Sequence, residues 1–396
     1  MNGFSNRKVR MPRGDAKAKV LASAERLFSG KWYSTVSVAD ICRQAGVSNG
    51  IAYHYFRDKE EIFLALMDRT IDVVGRTPRL NGSDDAGERL GNYIADLLKV
   101  TVDNKHLIRA FRQGQYRHIE YERKLRDIYT DHLGRVLGRP VADPEYVYIL
   151  SGLRFTNIRH AIEGQSADLA TLKGIAACGA FPEEAARPID EFLPKRILPP
   201  AVELEQDTAM RLKKAGKELF GRCDFSAVSV AEITRAAGTS VGTFYNCFES
   251  KEGFLAEIIT GISREIRRFI AVNMPKGLTR LEEEIAGVYL FSLFLTFDPD
   301  CYPVVRQAEY VVPEAARDYY EAFKRGYLAR MDWLPEGWDR ETAANYLMGI
   351  AHYFGLEFAY ARDIKDAKGF LSELMGYYTG GCCRRSCNGG ADKCCR

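Results

Sequence analysis

The chain has 396 residues, 46% of them hydrophobic, with 56 Lys and Arg against 53 Asp and Glu. That length accommodates two to four domains, and a formal net charge of +3 is too small to mark a nucleic-acid binder by bulk electrostatics. The first twenty residues lack the apolar stretch of a cleavable signal, and the most apolar run, Ile285 to Phe297, is shorter than the roughly 20 residues that span a bilayer, so a soluble, cytoplasmic protein with no membrane partner is expected.

In chain order, Arg7, Lys8, Arg10, Arg13, Lys17 and Lys19 give residues 1–20 the character of a basic arm, suited to phosphates or simply to solvent. Val20, Leu21, Ala24, Leu27 and Phe28 then recur at helical spacing. Ser37 reads as an N-cap with Asp40 three residues on, and Val38, Ile41 and Ala45 share one face. Gly46 ends that helix, because glycine enters the left-handed region without penalty. Ser48 reads as the next cap, with Ile51, Ala52, Tyr55 and Phe56 able to pack inward while Asn49, Gly50, Tyr53 and His54 face out. Two helices joined by a short glycine turn form a helix-turn-helix, whose second helix fits a DNA major groove. A further helix opens at Asp58, with Glu61 at the capping-box position, and closes residues 15–75 as one DNA-binding domain.

Residues 76–87 read as a loop, and residues 88–179 as a helical body with stretches around Leu90–Leu98, Leu107–Phe111, Tyr121–Leu137 and Tyr146–Glu163. Five prolines fall within residues 180–206, among the apolar anchors Phe181, Ile189, Phe192, Leu193, Ile197 and Leu198. This connection is expected to lie along the surface rather than to move as a free coil.

The plan then repeats. SVADICRQAGVSNGIAYHYF at residues 37–56 returns as SVAEITRAAGTSVGTFYNCF at residues 229–248, at a constant offset of 192 from Phe28 and Phe220 to Lys59 and Lys251. Farther on, Ile108-Arg109 against Val305-Arg306 and Leu150–Leu153 against Leu347–Ile350 both give 197. Self-similarity on this scale means two whole units in tandem: a second DNA-binding domain at residues 207–272 and a second body at residues 278–379. No strand pattern appears, and the fold class is all-α.

The ordered set Ala24-Glu25-Arg26-Leu27-Phe28, Tyr33, Thr35-Val36-Ser37-Val38, Ile41, Ala45-Gly46-Val47-Ser48, Gly50, Tyr53-His54-Tyr55-Phe56 and Lys59-Glu60-Glu61 resembles the N-terminal DNA-binding domain of the TetR family of transcriptional regulators. The resemblance implies a sequence-specific regulator, a repressor by family habit, and no enzyme. It implies DNA contacts from Ser37, Ser48, Asn49, Gly50, Tyr53, His54, Tyr55 and Lys59 in the first unit. The matching positions of the second are Ser229, Ser240, Val241, Gly242, Thr243, Tyr245, Asn246 and Lys251. Cys247 departs from the aromatic or histidine usual there, and Val241 cannot donate a hydrogen bond, so the two recognition surfaces differ.

Family members pair through their last helices on a double-stranded palindromic operator. Here Tyr146–Glu163 and Thr342–Ala361 are the candidates, carrying Ser151-Gly152 and Gly349, and their pairing makes one chain a self-contained pseudo-dimer on an imperfect palindrome. The resemblance also implies a small, apolar effector, with Phe111, Tyr116, Phe155, Phe291, Phe294, Tyr310, Tyr320, Tyr353 and Phe354 as candidate liners. Ordinary core packing is the competing reading for each.

Cys42, Cys178, Cys223, Cys247 and Cys301 are scattered, as small core residues in a reducing compartment are. Residues 380–396 form a tail with Cys382, Cys383, Cys387, Cys394 and Cys395. No cofactor is required, but five thiols suit a soft metal or redox chemistry, although their spacing matches no standard zinc site. Two alternatives thus stand beside the ligand-responsive regulator: a metal- or redox-responsive one sensing through the tail, and an architectural DNA-binding protein without an effector.

Overall fold

The computed structural model describes residues 13–77, 85–115, 117–181, 184–200 and 207–382, and every regular element among them is helical. The first head comprises α1 (Arg13–Gly30), a 3-10 turn (Tyr33–Thr35), α2 (Val38–Ala45), α3 (Asn49–Tyr55) and α4 (Lys59–Gly75). Its body follows as α5 (Ala86–Asp103), α6 (Lys105–Gly114), α7 (Ile119–Leu137), α8 (Asp143–Tyr146), α9 (Gly152–Glu163) and α10 (Leu169–Cys178), with a π turn (Val147–Ser151) joining α8 to α9. The connection carries a short α11 (Ile189–Phe192). The second head comprises α12 (Thr208–Arg222), α13 (Val230–Ala236), α14 (Val241–Cys247) and α15 (Lys251–Asn273). Its body comprises α16 (Arg280–Phe297), α17 (Cys301–Val311), α18 (Pro313–Leu328), α19 (Arg340–Leu356) and α20 (Ala367–Gly380). The basic residues up to Arg10 lie outside the described residues.

The helix α10 was not anticipated. Its sequence LATLKGIAAC has no polar face wide enough to show helical periodicity, and Leu172, Ile175, Ala176 and Ala177 are all buried. The most extensive inter-helix packing joins α9 to α19, and α10 also lies against α19. A Cβ on Gly152 would fall 2.5 Å from the Tyr346 ring, and one on Gly349 would fall 2.6 Å from both the Ser151 carbonyl oxygen and the Phe155 Cβ. Glycine at both positions is therefore what lets the two helices approach. The cores interleave across this crossing: Phe155 of the first body packs with the second unit, while Tyr346, Leu371 and Tyr378 pack with the first.

Counterpart residues of the two units meet. Gly152 and Gly349 are counterparts at the offset of 197, and a Cβ on Gly349 would fall 3.1 Å from the Gly152 Cα. At the offset of 192, Trp32 Nε1 donates to Asp224 Oδ1 (3.2 Å), and the hydroxyls of Ser34 and Ser226 lie 2.6 Å apart. A residue touches its own counterpart only on a twofold axis, so one pseudo-twofold passes between the heads and through the α9/α19 crossing.

The connection is bound into this body. Glu184 accepts from the Leu281 amide (2.9 Å), Arg187 grips the buried Glu282 at 2.8 and 2.7 Å, and Asn273 exchanges bonds with the Leu198 backbone at 2.7 and 3.0 Å. Phe181, Ile189, Phe192 and Leu193 are buried, whereas Leu198 is exposed.

Substituting Gly349→Ala should lower the melting temperature, with a cost of about 1–3 kcal/mol for overpacking against backbone. In α15, a Cβ on Gly261 meets nothing within 4 Å, so Gly261→Ala should instead stabilise by roughly 0.5–1 kcal/mol. Parallel thermal melts of the two variants check both signs.

Candidate nucleic-acid interface and effector cavity

Each head builds its helix-turn-helix from the same local chemistry. The Ser37 hydroxyl accepts from the Asp40 amide (3.1 Å) while the Asp40 carboxylate accepts from the Ser37 amide (3.0 Å), and Ser229 and Glu232 repeat this box. Hydrogen bonds from the Ser37 hydroxyl and backbone hold the Asp40 carboxyl down to about 2. Gly46 (φ +67°) and Gly238 (φ +65°) make the turns. Ser37 and Ser229, expected to contact DNA, thus have their hydroxyls engaged in capping.

On α3, Ala52 and Phe56 are buried and Tyr55 packs against the same core, while Asn49, Gly50, Tyr53 and His54 are exposed. Ser48 stands at the N-cap but makes no side-chain cap bond, unlike Ser240, which accepts from the Thr243 amide (3.1 Å). Ile51 corrects the expectation of inward packing. The inward stripe runs through 52, 55 and 56, which leaves Ile51 38% exposed on the recognition face, beside Tyr53 at 55%. Sequence reading had assigned Ile51 to the core. On α14, Val241, Gly242, Tyr245, Asn246 and Cys247 are exposed, and the Thr243 hydroxyl lies 2.8 Å from that of Ser240.

The heads differ by an exchange of volume one turn apart. Phe244 fills the core beside Phe248 and Phe254 and leaves Cys247 outside; in the first head its counterpart is Ala52, and Tyr55, the counterpart of Cys247, packs inward.

Lys59 and Lys251 were expected to face phosphate. Instead, Lys59 Nζ donates to the Tyr33 and Val36 carbonyls (3.0 and 2.9 Å) and sits 4.2 Å from the Tyr33 ring centre. Lys251 Nζ does the same with Phe225 and Val228 (both 2.9 Å) and the Phe225 ring (4.1 Å). Burial lowers both ammonium pKa values. Each lysine ties the turn before the helix-turn-helix to the following helix.

A glutamine ties each head to its body. Gln113 on α6 donates to the Phe28 and Lys31 carbonyls and accepts from the Tyr33 amide (2.6 Å), and Gln307 on α17 donates to Phe220 (2.7 Å) and accepts from Phe225 (2.6 Å). Identical partners make Gln113 and Gln307 counterparts at an offset of 194, so the pairing of Ile108-Arg109 with Val305-Arg306 is out by three residues, close to one helical turn. Preceding each glutamine is an arginine, and both arginines converge on one carboxylate: Glu309 receives Arg112 (3.0 Å) and Arg306 (2.9 Å), with the Tyr320 hydroxyl at 2.7 Å. Burial alone would raise the Glu309 carboxyl, but the two guanidiniums hold it well below the usual carboxylate range. The first unit has Gln115 at the matching place.

Tyr320 also lines a cavity of about 450 Å³ in the second body, within the range of small-molecule pockets. Of the expected liners, Phe155, Phe291 and Tyr320 are there, joined by Tyr319, Phe323, Met274, Met348 and His352. The others are elsewhere. Phe294 and Phe354 are core, Phe111 packs in the first core, Tyr310 lies against Trp32, Tyr353 lies under Arg154, and Tyr116 is outside the described residues. Two helical glycines, Gly287 and Gly326, line the space with nothing within 4 Å of an added Cβ. Glu284 opens into the cavity and accepts from the Tyr327 hydroxyl (3.2 Å), and burial pushes its carboxyl up to about 7.

The cysteine expectations need two corrections. Cys382 is buried, its amide donating to the Ala176 carbonyl (3.0 Å), which removes it from a free tail. Cys178, expected as a reduced core residue, is disulfide-bonded where the chain end returns onto α10. Cys383, Cys387, Cys394 and Cys395 lie outside the described residues, and no cluster of three or more metal-ligating side chains occurs among those described. No described helix is long and apolar enough to cross a membrane.

Residues 20–66 and 212–258 each match the sequence pattern of bacterial regulatory proteins, tetR family. Over 120 residues the chain is 26% identical to the HTH-type transcriptional activator FasR of Mycolicibacterium smegmatis, an alignment covering 30% of this chain and 48% of FasR. It is 27% identical over 180 residues to the uncharacterized HTH-type transcriptional regulator YdgC of Bacillus subtilis, covering 43% of this chain and 89% of YdgC. The chain spans about half the length of FasR and a third of that of the HTH-type transcriptional regulator EthR of Mycolicibacterium smegmatis (33%), to which it is 38% identical over 72 residues, 16% of this chain. Among solved structures, the fatty acid degradation regulator FadR from Bacillus halodurans aligns at 15% identity and a TM-score of 0.39, covering 46% of this chain and 98% of that one.

Replacing Lys59 by Met should destabilise the first head, because two carbonyls lose their donor, at about 1–3 kcal/mol for an unsatisfied buried group. The slope of log affinity against log salt should stay unchanged. A fall of roughly one unit in that slope, measured by DNA titration at several salt concentrations, would instead restore a phosphate contact to Lys59.

Proposed function

We infer that this chain, which belongs to the tetR family of bacterial regulatory proteins through both of its DNA-binding heads, is a ligand-responsive transcriptional repressor that reads one imperfect palindrome as a single-chain pseudo-dimer. The observation that carries this reading is the contact between counterparts, Trp32 with Asp224 and Ser34 with Ser226, on an axis shared with the α9/α19 crossing. Two separate subunits pairing face to face would make the same kind of contact. Fusion replaces that association with an intramolecular one, at an effective concentration of order millimolar for a short linker.

Two heads related in this way present α3 and α14 to half-sites about one helical turn apart, roughly 34–36 Å. Asn49 is suited to an adenine edge, and Ile51, Val241 and the Thr243 methyl to thymine methyl groups. Unequal recognition faces call for unequal half-sites.

The effector site in this reading is the cavity of the second body, supported by Tyr320, which touches both the cavity and Glu309. Through Glu309 a ligand that favours one position of Tyr320 acts on Arg112 and Arg306, and through the adjacent Gln113 and Gln307 on both heads. The ligand shifts the equilibrium only by its difference in affinity for the two arrangements.

Sedimentation of the complex should give one chain per operator. Tyr53→Ala and Tyr245→Ala should remove footprint protection from opposite halves of the site, and Asn49→Ala should change the preferred sequence of one half only. Two chains on a symmetric operator, with the second head dispensable, would overturn the single-chain reading.

A further inference from the structure

We propose that the cavity of the second body takes an amphipathic anion, its apolar tail inside and a single anionic head at the arginine-bearing mouth. The proposal rests on the reading of this cavity as the effector site and names the chemistry that the site selects. The walls are apolar and largely aromatic, with Phe155, Phe291, Tyr319, Phe323 and Met348 among them. At the roughly 30 Å³ that a water-sized group occupies, a tail of about twelve carbons fills most of the approximately 450 Å³.

The charges decide the head. Arg267, Arg280 and Arg330 line the mouth, and Arg280 and Arg330 share one partner, Glu283. Arg267 donates through Nε to the Ser263 carbonyl (3.1 Å) and pairs with no carboxylate among the described residues. Positive charge is therefore in excess where the cavity meets solvent. Behind Tyr320 at the deep end, Arg112 and Arg306 meet Glu309 while Arg159 meets Glu163 and Glu321, so the charges there are paired and the excess is confined to the mouth. His352, 9% exposed, lines this end with its Nε2 unpartnered, and burial together with Arg306 and Arg112 keeps the ring neutral. Glu284, whose carboxyl burial has pushed up, offsets only part of the positive charge. A cationic amphipath would meet repulsion at the mouth, and a neutral one would leave its arginines without the charge-assisted bonds that an anion supplies.

Gly326 supplies a clean block. It lies inside α18 and lines the cavity, and a side chain there enters open space rather than packed atoms. Leucine is also the better helix former.

The test is calorimetric titration of the full chain with dodecanoate, dodecyltrimethylammonium and dodecanol, each below its micelle concentration. Dodecanoate should bind about tenfold or more tightly than the other two, as a charge-assisted head contact requires. Arg267→Glu, a surface change, should reverse the order of the two charged probes. Gly326→Leu should abolish binding of dodecanoate with an unchanged or raised melting temperature. Equal affinity for the cation, or undiminished dodecanoate binding in Gly326→Leu, overturns the proposal. Dodecanoate binding that responds to both variants but leaves operator affinity unchanged upholds the ligand class and overturns the effector role. No dodecanoate binding by a chain that still binds its operator overturns the ligand class alone.

Discussion

The close approach of Gly152 and Gly349 is the constraint on which the rest of the molecule depends. Either Cβ would collide with backbone or ring atoms of the other helix, so the α9/α19 crossing exists only while both positions stay bare. With that crossing in place, α19 is buried along nearly its whole length, and the cores of the two units interleave through Phe155 on one side and Tyr346 on the other. The heads follow as a geometric consequence, because an axis that brings Gly152 to Gly349 also brings Ser34 to Ser226. The rise of the offset from 192 to 194 to 197 along the chain shows that the second unit carries five more residues over this stretch while keeping the relation. Loops absorb such insertions at little free-energy cost.

The axis is not symmetric in charge. Arg112 and Arg306 are counterparts, yet one glutamate serves both, since the first unit has Gln115 where the second has Glu309. A buried ion pair contributes little net stability because desolvation offsets attraction, whereas its geometric demands are strict. The cluster is better understood as fixing the relative position of α6 and α17. The residues that follow these arginines, Gln113 and Gln307, bond to the two heads, so the carboxylate of Glu309 sits one residue from the anchor of each. A two-chain dimer of identical subunits would duplicate every such cluster; in the fused chain a single Glu309 cluster can stand on the axis.

The recognition faces diverged under the same logic of compensation. A large residue at 244 with Cys247 outside, and a small one at 52 with Tyr55 inside, fill the same layer of the core by different routes. Exchanges of this kind conserve core volume, which is what folding requires, while changing what α3 and α14 show to solvent.

The sequence alone determined what is local or repeated. The helix-turn-helix was legible because capping boxes, a left-handed glycine and apolar spacing all act within a few residues, and their recurrence at a constant offset made two units inescapable. The crossing helices were legible from Ser151-Gly152 and Gly349, since small residues at matched places mark close approach. Tertiary structure alone decided which polar groups were already occupied. Lys59 and Lys251 look like phosphate ligands by type and position, but carbonyls 23 and 26 residues earlier in the chain accept their hydrogen bonds. Ile51 looks apolar and therefore inward, but its angle on a seven-residue helix turns it outward. Which aromatics line a cavity and which fill a core was equally beyond reach, because Phe291 and Phe294 differ by less than one turn, and only the tertiary placement that sets Phe294 on Phe269 of α15 and Phe291 in the space beside α18 tells them apart. Side-chain type sets what a group can do; the company brought to it from distant parts of the chain sets what it does.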